Sequence, residues 1–484
     1  MLAGILGALP GPGTKIVLEP AKRRLRTRYE SVLAARKTLP LRGPTVLYWH
    51  PMSDGQRRLG PGAATALVVA NMVGTGVFTT SGILMDILGS PWLVLLTWLL
   101  GGIIALLGAL CYGALAQRIP ESGGEYIFLS RTLHPMAAYV AGWLSLIVGF
   151  AVPLGALAFA FAEYMRPWLP GFLSPRLVAT ALMVGASFLH FGSVSFGARI
   201  QAAIVVAEVV LITLFASFGL GRLYPDGFHS TSQPGHFGKL GLALVLVSFS
   251  YLGWNGAVYI GGEVKDPKRN LPLSLILGTS IVTILYMALN TFFVFAAPVS
   301  ALSGRIDVAH VAAAAVGGPR LAAAVSALVA LALALCVSAL TMTGPQVAAR
   351  MAADGLLPRL FAASSGRPPR LALLAQLALG LLALWTATFE RILTYVGFTL
   401  GISTVATIIG LCRLRLKEGS ALHVPGWPWV PGLFLAFVVG STIFTVVQRP
   451  FEGVIGFATL GVGAVAYFVQ QRTRNTPHTH PSAE

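Results

Sequence analysis

Long apolar stretches separated by short polar segments dominate this chain. A transmembrane helix needs about 20 predominantly apolar residues, and we find twelve stretches of about this length. None of them shows the ten-residue alternation that is typical of a transmembrane β-strand. The pattern therefore predicts an all-α polytopic membrane protein with about 12 transmembrane helices. The stretches are 63–86, 91–116, 136–162, 176–194, 199–220, 239–262, 273–297, 320–345, 370–388, 392–412, 430–448 and 451–470.

The composition supports this prediction and excludes other classes. Hydrophobic residues make up 55% of the 484 residues and charged residues only 11%, whereas a soluble domain carries about 25% charged residues. A soluble enzyme, a disordered chain and a disulfide scaffold are therefore excluded. The three cysteines, Cys111, Cys336 and Cys412, lie in or at the ends of apolar stretches, which is typical of small packing residues. We expect no cofactor.

The distribution of basic residues predicts the orientation. With twelve crossings, 26 of the 34 Lys and Arg residues fall on the side of the amino terminus and eight on the other side. Cytoplasmic segments are enriched in Lys and Arg, so both tails, 1–62 and 471–484, are predicted to be cytoplasmic. If translation starts at Met52 instead of Met1, residues 53–62 are the whole amino-terminal tail. Because the basic residues are spread over loops and one tail, the net charge of +17 does not indicate a nucleic-acid partner.

Glycines interrupt two apolar stretches, at Gly74 and Gly76 in the first and at Gly253 in the sixth. Glycine permits unwinding, and unwinding frees backbone N–H and C=O groups at the new helix ends. Freed N–H groups suit a carboxylate, and freed carbonyls near Met72, Val73, Phe249 and Ser250 suit an ammonium group. Together they predict a socket for an α-amino acid. Alternatively, the glycines only allow close helix packing. The predicted substrate-binding residues are Val73, Gly74, Thr75, Gly76, Val77, Phe249, Ser250, Gly253, Trp254 and Asn255.

Four motifs in order resemble those of the amino acid–polyamine–organocation (APC) superfamily. They are Gly-Thr-Gly-Val-Phe at 74–78, Pro-Glu-Ser-Gly-Gly-Glu-Tyr at 120–126, the segments 249–255 and 262–272, and the loop 350–358. The Gly-Trp-Asn triplet within 249–255 is similar to the L-type branch of amino acid permeases. The resemblance implies a transport core at 63–412, with inverted five-helix repeats at 63–220 and 239–412. It also implies two accessory helices within 413–470.

The resemblance implies a secondary active transporter that moves amino acids by alternating access, as a monomer or a homodimer. No acidic or basic residue flanks either break, so we expect a neutral side chain on the substrate, with Phe249 and Trp254 as its aromatic wall. Ordinary helix packing is the alternative for these two aromatic residues. A polyamine or other organic cation is the alternative substrate. The Arg-rich composition, 27 Arg against 7 Lys, predicts a bacterial inner membrane protein.

Glu208 is the ionisable residue that the pattern places near the middle of a span, where a charge costs at least ~2.5 kcal/mol. Relatives in the superfamily often carry a Lys at the matching position. Glu208 could bind a coupling proton, could coordinate sodium together with Thr341 or Thr343, or could donate one structural hydrogen bond. We expect proton coupling, with sodium as the less favoured ion.

The loop between the second and third stretches carries Glu121, Glu125 and Arg131. These side chains could form a network that closes the cytoplasmic side. They could equally be solvated residues of a polar loop. We expect none of them to contact substrate.

Overall fold

The structure is a computed structural model that describes residues 59–191, 210, 213, 239–353, 355–362 and 369–475. In these ranges the ordered elements are helices, and the one β-pairing is an isolated bridge between Leu59 and Val264. This confirms the predicted all-α polytopic class. The predicted fifth stretch, 199–220, and Glu208 lie outside the described residues.

The described helices follow most of the apolar stretches, and two stretches are interrupted, the first between Met72 and Thr75 and the sixth after Ser250. A π-helix at Ser145–Ala151 joins α5 to α6, and a 3₁₀ helix at Gly256–Glu263 follows α8. Within the described ranges, the α-helices are α1 (Pro61–Met72), α2 (Thr75–Leu88), α3 (Pro91–Arg118), α4 (Gly124–Thr132), α5 (Pro135–Leu144), α6 (Val152–Met165), α7 (Pro175–His190), α8 (Leu240–Ser250), α9 (Pro267–Phe295), α10 (Val299–Leu302), α11 (Val308–Ala353), α12 (Arg370–Thr386), α13 (Phe389–Glu418), α14 (Trp429–Gln448) and α15 (Pro450–Asn475).

Length and hydropathy identify the segments that can cross a membrane. In the described part of the chain, seven helical segments meet the requirement, one of which, α11, is kinked at Gly318, and α1 and α2 meet it together as one span bent by 41°. The helices α8 and α12 are shorter apolar helices. The count of twelve spans stays a prediction.

Chain direction defines two faces of the bundle. The bent span α1–α2 begins at Pro61 and ends at Leu88, and α3 crosses back, so Arg118 lies at the same face as Pro61. Leu59 pairs with Val264, which places the end of the 3₁₀ helix at that face too. We call the two sides the Pro61 face and the Leu88 face.

The broken segments cross at very short range, and glycine makes this possible. Gly253 has φ = +98°, a conformation that favours glycine. A Cβ atom at this position would lie 2.2 Å from the carbonyl oxygen of Asn71 in α1. Gly76 is equally tight, because a Cβ atom there would lie 2.5 Å from the Cα of Ser250. Gly76 and Gly253 therefore allow the two broken segments to pack closely.

We expect Gly253→Ala to lower the thermal stability of the detergent-purified protein. The left-handed conformation alone costs a non-glycine residue about 1–2 kcal/mol, and the contact with Asn71 adds to this cost. The control is Gly432→Ala in α14, where no atom lies within 4 Å of the added Cβ. Equal melting temperatures for the two variants would contradict the prediction.

Candidate substrate site at two helix breaks

The first break separates α1 from α2. Gly74 is the amino-terminal cap of α2, with φ = −152° and ψ = −156°, and no side chain caps this helix. Backbone N–H groups in the first turn of a helix have no partner inside the helix. The helix dipole adds partial positive charge at the same point. Thr75, Gly76 and Val77 therefore present buried donors that suit a carboxylate.

The second break follows Ser250, where α8 ends. Residues 251–255 form turns, and the 3₁₀ helix begins at Gly256. The Phe249 carbonyl oxygen accepts a hydrogen bond from the N–H of Leu252 at 3.1 Å. The hydroxyls of Ser250 and Thr80 lie 3.0 Å apart. Ser250 is thus fixed against α2, next to Gly76.

Tyr286 of α9 joins the two breaks. Its hydroxyl lies 2.6 Å from the carbonyl oxygen of Met72 and 3.2 Å from that of Ser250. These are the carbonyls that end the two half-helices α1 and α8. Two of the carbonyls that we expected to face an ammonium group, those of Met72 and Ser250, therefore share one donor from the protein.

Two other aromatic residues hold Tyr286 in place. The ring of Trp98 meets it edge-on with centroids 5.4 Å apart, and the ring of Tyr251 lies at 5.2 Å. The hydroxyl of Tyr251 in turn donates to the carbonyl of Trp98 at 2.9 Å. Sequence reasoning missed Tyr286. The available signal was a tyrosine inside an apolar stretch, because a buried phenol hydroxyl needs a hydrogen-bond partner.

Trp254 and Asn255 lie at the end of the turns that follow α8, and they contact α3, α4 and α14. The ring of Trp254 is 4.7 Å from that of Tyr112 and 6.2 Å from that of Phe434. The side chain of Asn255 donates to Glu125 Oε1 at 3.3 Å. These are packing and hydrogen-bonding contacts within the protein. A contact between Trp254 and a substrate side chain stays a prediction.

The candidate sodium ligands on α11 already have partners within their own helix. Thr341 donates to the carbonyl of Val337 at 2.7 Å, and Thr343 donates to that of Ala339 at 2.8 Å. Within the described ranges, His, Cys, Asp and Glu form no cluster that could hold a metal ion.

A cavity of about 400 Å³ opens near the Leu88 face. It lies between α2, α6, α7, α12 and α13, and its wall combines the apolar residues Phe159 and Phe389 with the charged residues Asp86, Arg176 and Glu390. The cavity thus lies at the ends of these helices on the Leu88 face.

The geometry defines a class of protein: a polytopic membrane transporter in which two interrupted helices cross within the bundle. Comparison with known proteins then identifies the family. Residues 59–478 match the family described as "Amino acid permease", and the chain belongs to this family. It is a transporter and not an enzyme.

Several transporters are similar to this chain over most of its length. It is 25% identical over 444 residues to mouse Asc-type amino acid transporter 1, covering 87% of this chain and 82% of that protein. It is 27% identical over 434 residues to mouse Large neutral amino acids transporter small subunit 2, covering 86% and 81%. Human b(0,+)-type amino acid transporter 1 is 29% identical over 248 residues, or 49% of this chain and 51% of that protein.

We expect Tyr286→Phe to impair transport because it removes the donor shared by both breaks. A buried carbonyl left without a partner costs about 1–3 kcal/mol. Because this cost falls on the arrangement in which the two breaks meet, the population of that arrangement, and with it uptake into proteoliposomes, should fall roughly tenfold, since ~1.4 kcal/mol is a factor of ten in an equilibrium constant. The control is Tyr395→Phe, which removes a hydroxyl 2.8 Å from Thr459 Oγ1, away from the breaks. Similar uptake by both variants would show that the Tyr286 hydroxyl is dispensable.

Proposed function

We propose that this permease carries neutral amino acids by alternating access, with the substrate bound at the crossing of the two breaks. The observation that carries this proposal is that α2 begins with an uncapped, buried first turn directly beside Ser250, where α8 ends. The relatives support an amino acid as the substrate class and do not favour a polyamine. One of them is named for large neutral amino acids.

The substrate contacts follow from the polar groups at the crossing. The carboxylate would accept from the N–H groups of Thr75, Gly76 and Val77 at the amino terminus of α2. The ammonium group would donate to the Val73 carbonyl in the extended turn before Gly74, because Tyr286 already serves the Met72 and Ser250 carbonyls. A neutral side chain fits the sequence around the two breaks, because no acidic or basic residue flanks either of them along the chain.

In the proposed orientation, the Pro61 face is cytoplasmic and the Leu88 face is external, since basic residues concentrate on the Pro61 side. The cavity at the Leu88 face would then be the external entrance. Both termini would be cytoplasmic, and the protein would reside in a bacterial inner membrane as a monomer or homodimer.

A proton gradient would drive transport of the amino acid against its own gradient, with Glu208 as the coupling residue and sodium as the less favoured ion. A carboxyl group in the middle of a span is a functional candidate.

We expect uptake to require both charged groups of the α-amino acid. Labelled leucine should be taken up by proteoliposomes, whereas leucinamide and N-acetylleucine should compete poorly, because each lacks one of the two charges that the socket binds. Putrescine serves as the probe for the alternative substrate class. Competition by leucinamide as strong as that by leucine would contradict the carboxylate site, and saturable putrescine uptake would favour the cation carrier.

Glu208→Gln should separate exchange from accumulation. The amide resembles a permanently protonated carboxyl, so the variant should still exchange labelled for unlabelled substrate but should lose accumulation driven by a pH gradient. Uptake with an imposed pH gradient, and separately with a sodium gradient, measures this. Wild-type accumulation by the variant would mean that the coupling ion binds elsewhere.

A further inference from the structure

Glu125 is a buried carboxyl group outside the membrane-spanning helices. It is the second residue of α4, the short helix between α3 and α5, and its exposed fraction is only 6%. Glu121, four residues earlier in the same segment, lies at the surface and pairs with Arg131 at 3.0 Å. The two carboxyls of this loop therefore have opposite environments.

Three separate parts of the bundle donate hydrogen bonds to Glu125. The Tyr112 hydroxyl of α3 donates to Oε1 at 2.7 Å, and the Asn255 amide, beyond the second break, donates to the same oxygen at 3.3 Å. The Ser403 hydroxyl of α13 donates to Oε2 at 2.5 Å. Glu125 thus ties the α4 segment to α3, to α13 and to the turns that follow α8 at one point.

No basic side chain among the described residues pairs with Glu125. The neighbouring cations have other partners, because Arg131 pairs with Glu121 and Arg118 pairs with Glu418 of α13 at 2.9 Å. The titratable groups that face Glu125 are the phenols of Tyr112 and of Tyr259 in the 3₁₀ helix, which are neutral at physiological pH. An ionised Glu125 would therefore be a buried charge without a counter-charge.

Burial raises the pKa of Glu125 above its usual range, while the hydrogen bonds from Ser403, Tyr112 and Asn255 act in the opposite direction. Burial dominates because neutral donors only partly replace the water that solvates a carboxylate. When Glu125 is protonated, a hydroxyl such as that of Ser403 can rotate and accept the new proton. The site therefore accommodates either form, and burial shifts the balance toward the protonated form relative to a hydrated carboxyl group.

The segment around Glu125 also seals the Pro61 face. The Ser122 hydroxyl accepts from the N–H of Gly262 at 2.8 Å, and the N–H of Gly123 donates to the Tyr259 carbonyl at 3.2 Å. A passage between the substrate site and this face requires the 3₁₀ helix to separate from α4. That separation would remove Asn255 from Glu125 and let water reach the carboxyl group.

We propose that Glu125 is a proton-binding residue that controls opening at the Pro61 face: its protonated form holds this face closed, and loss of the proton favours the open state. The inference rests on the proposed alternating-access function. The direction of the pH dependence follows from the linkage between proton binding and the equilibrium between the closed and open states. A carboxyl whose pKa is higher in the closed state than in the hydrated open state stabilises the closed state at low pH. This stabilisation is lost as pH rises through the closed-state pKa.

The test is the exchange of labelled for unlabelled leucine in proteoliposomes, with equal pH on both sides, between about pH 5 and about pH 8. Wild-type exchange should rise several-fold with pH as Glu125 loses its proton. Glu125→Gln cannot titrate, so its exchange should be independent of pH when it is combined with Glu208→Gln, which removes the other proposed proton site and keeps exchange. The matched control, Glu121→Gln in the same loop, should keep the wild-type profile. A wild-type pH profile in Glu125→Gln would overturn the proposal.

A second variant keeps the proposal testable if Glu125→Gln does not fold. Ser403→Ala removes a donor that lowers the pKa of Glu125, so the midpoint of the pH profile should move upward while exchange persists. An unchanged midpoint would overturn the proposal. Absence of leucine exchange by the wild type at every pH would instead overturn the proposed substrate and function, independently of Glu125.

Discussion

Hydrogen bonding of interrupted backbone is the constraint on which this structure depends. An unpaired backbone group in the hydrocarbon region costs several kcal/mol, so a helix can be broken there only where protein groups or ligand satisfy its ends. Tyr286 meets this need for the carbonyl ends of both half-helices. The N–H groups that begin α2 have no side-chain cap. The protein thus provides a donor for the Met72 and Ser250 carbonyls itself, and the N–H groups that begin α2 are the donors for the proposed carboxylate.

Close approach of the two breaks couples them mechanically. Gly76 lies against Ser250, and Gly253 lies against Asn71, at distances that exclude any side chain. A shift of the 3₁₀ helix would therefore change the contacts with α1, and it would also change those with α4 through the hydrogen bond between Asn255 and Glu125. One set of contacts thus links the substrate site to the seal at the Pro61 face, which is what alternating access needs, because binding must influence which face opens.

Two roles of the glycines, which the sequence leaves as alternatives, are compatible in the structure. Gly74 has no neighbour nearer than 4.0 Å to an added Cβ and caps α2, so it belongs to the break itself. Gly76 and Gly253 provide the close packing. The aromatic residues divide in the same way: Phe249 lies at the end of α8, whereas Trp254 packs between Tyr112 and Phe434. A glycine or an aromatic residue at a break therefore does not by itself identify a substrate contact.

The sequence alone determined the class, the two breaks and the approximate positions of the described apolar helices. The stretch 91–116, for example, corresponds to a helix at Pro91–Arg118, because hydrophobic length and glycine interruption are local properties of the chain. The partners of Glu125 and Tyr286 were decided only by the tertiary structure. Asn255 and Ser403 lie 130 and 278 positions from Glu125, and Met72 lies 214 positions from Tyr286. Burial of a carboxyl and the choice of its donors depend on which distant helices pack together, and no local pattern encodes that.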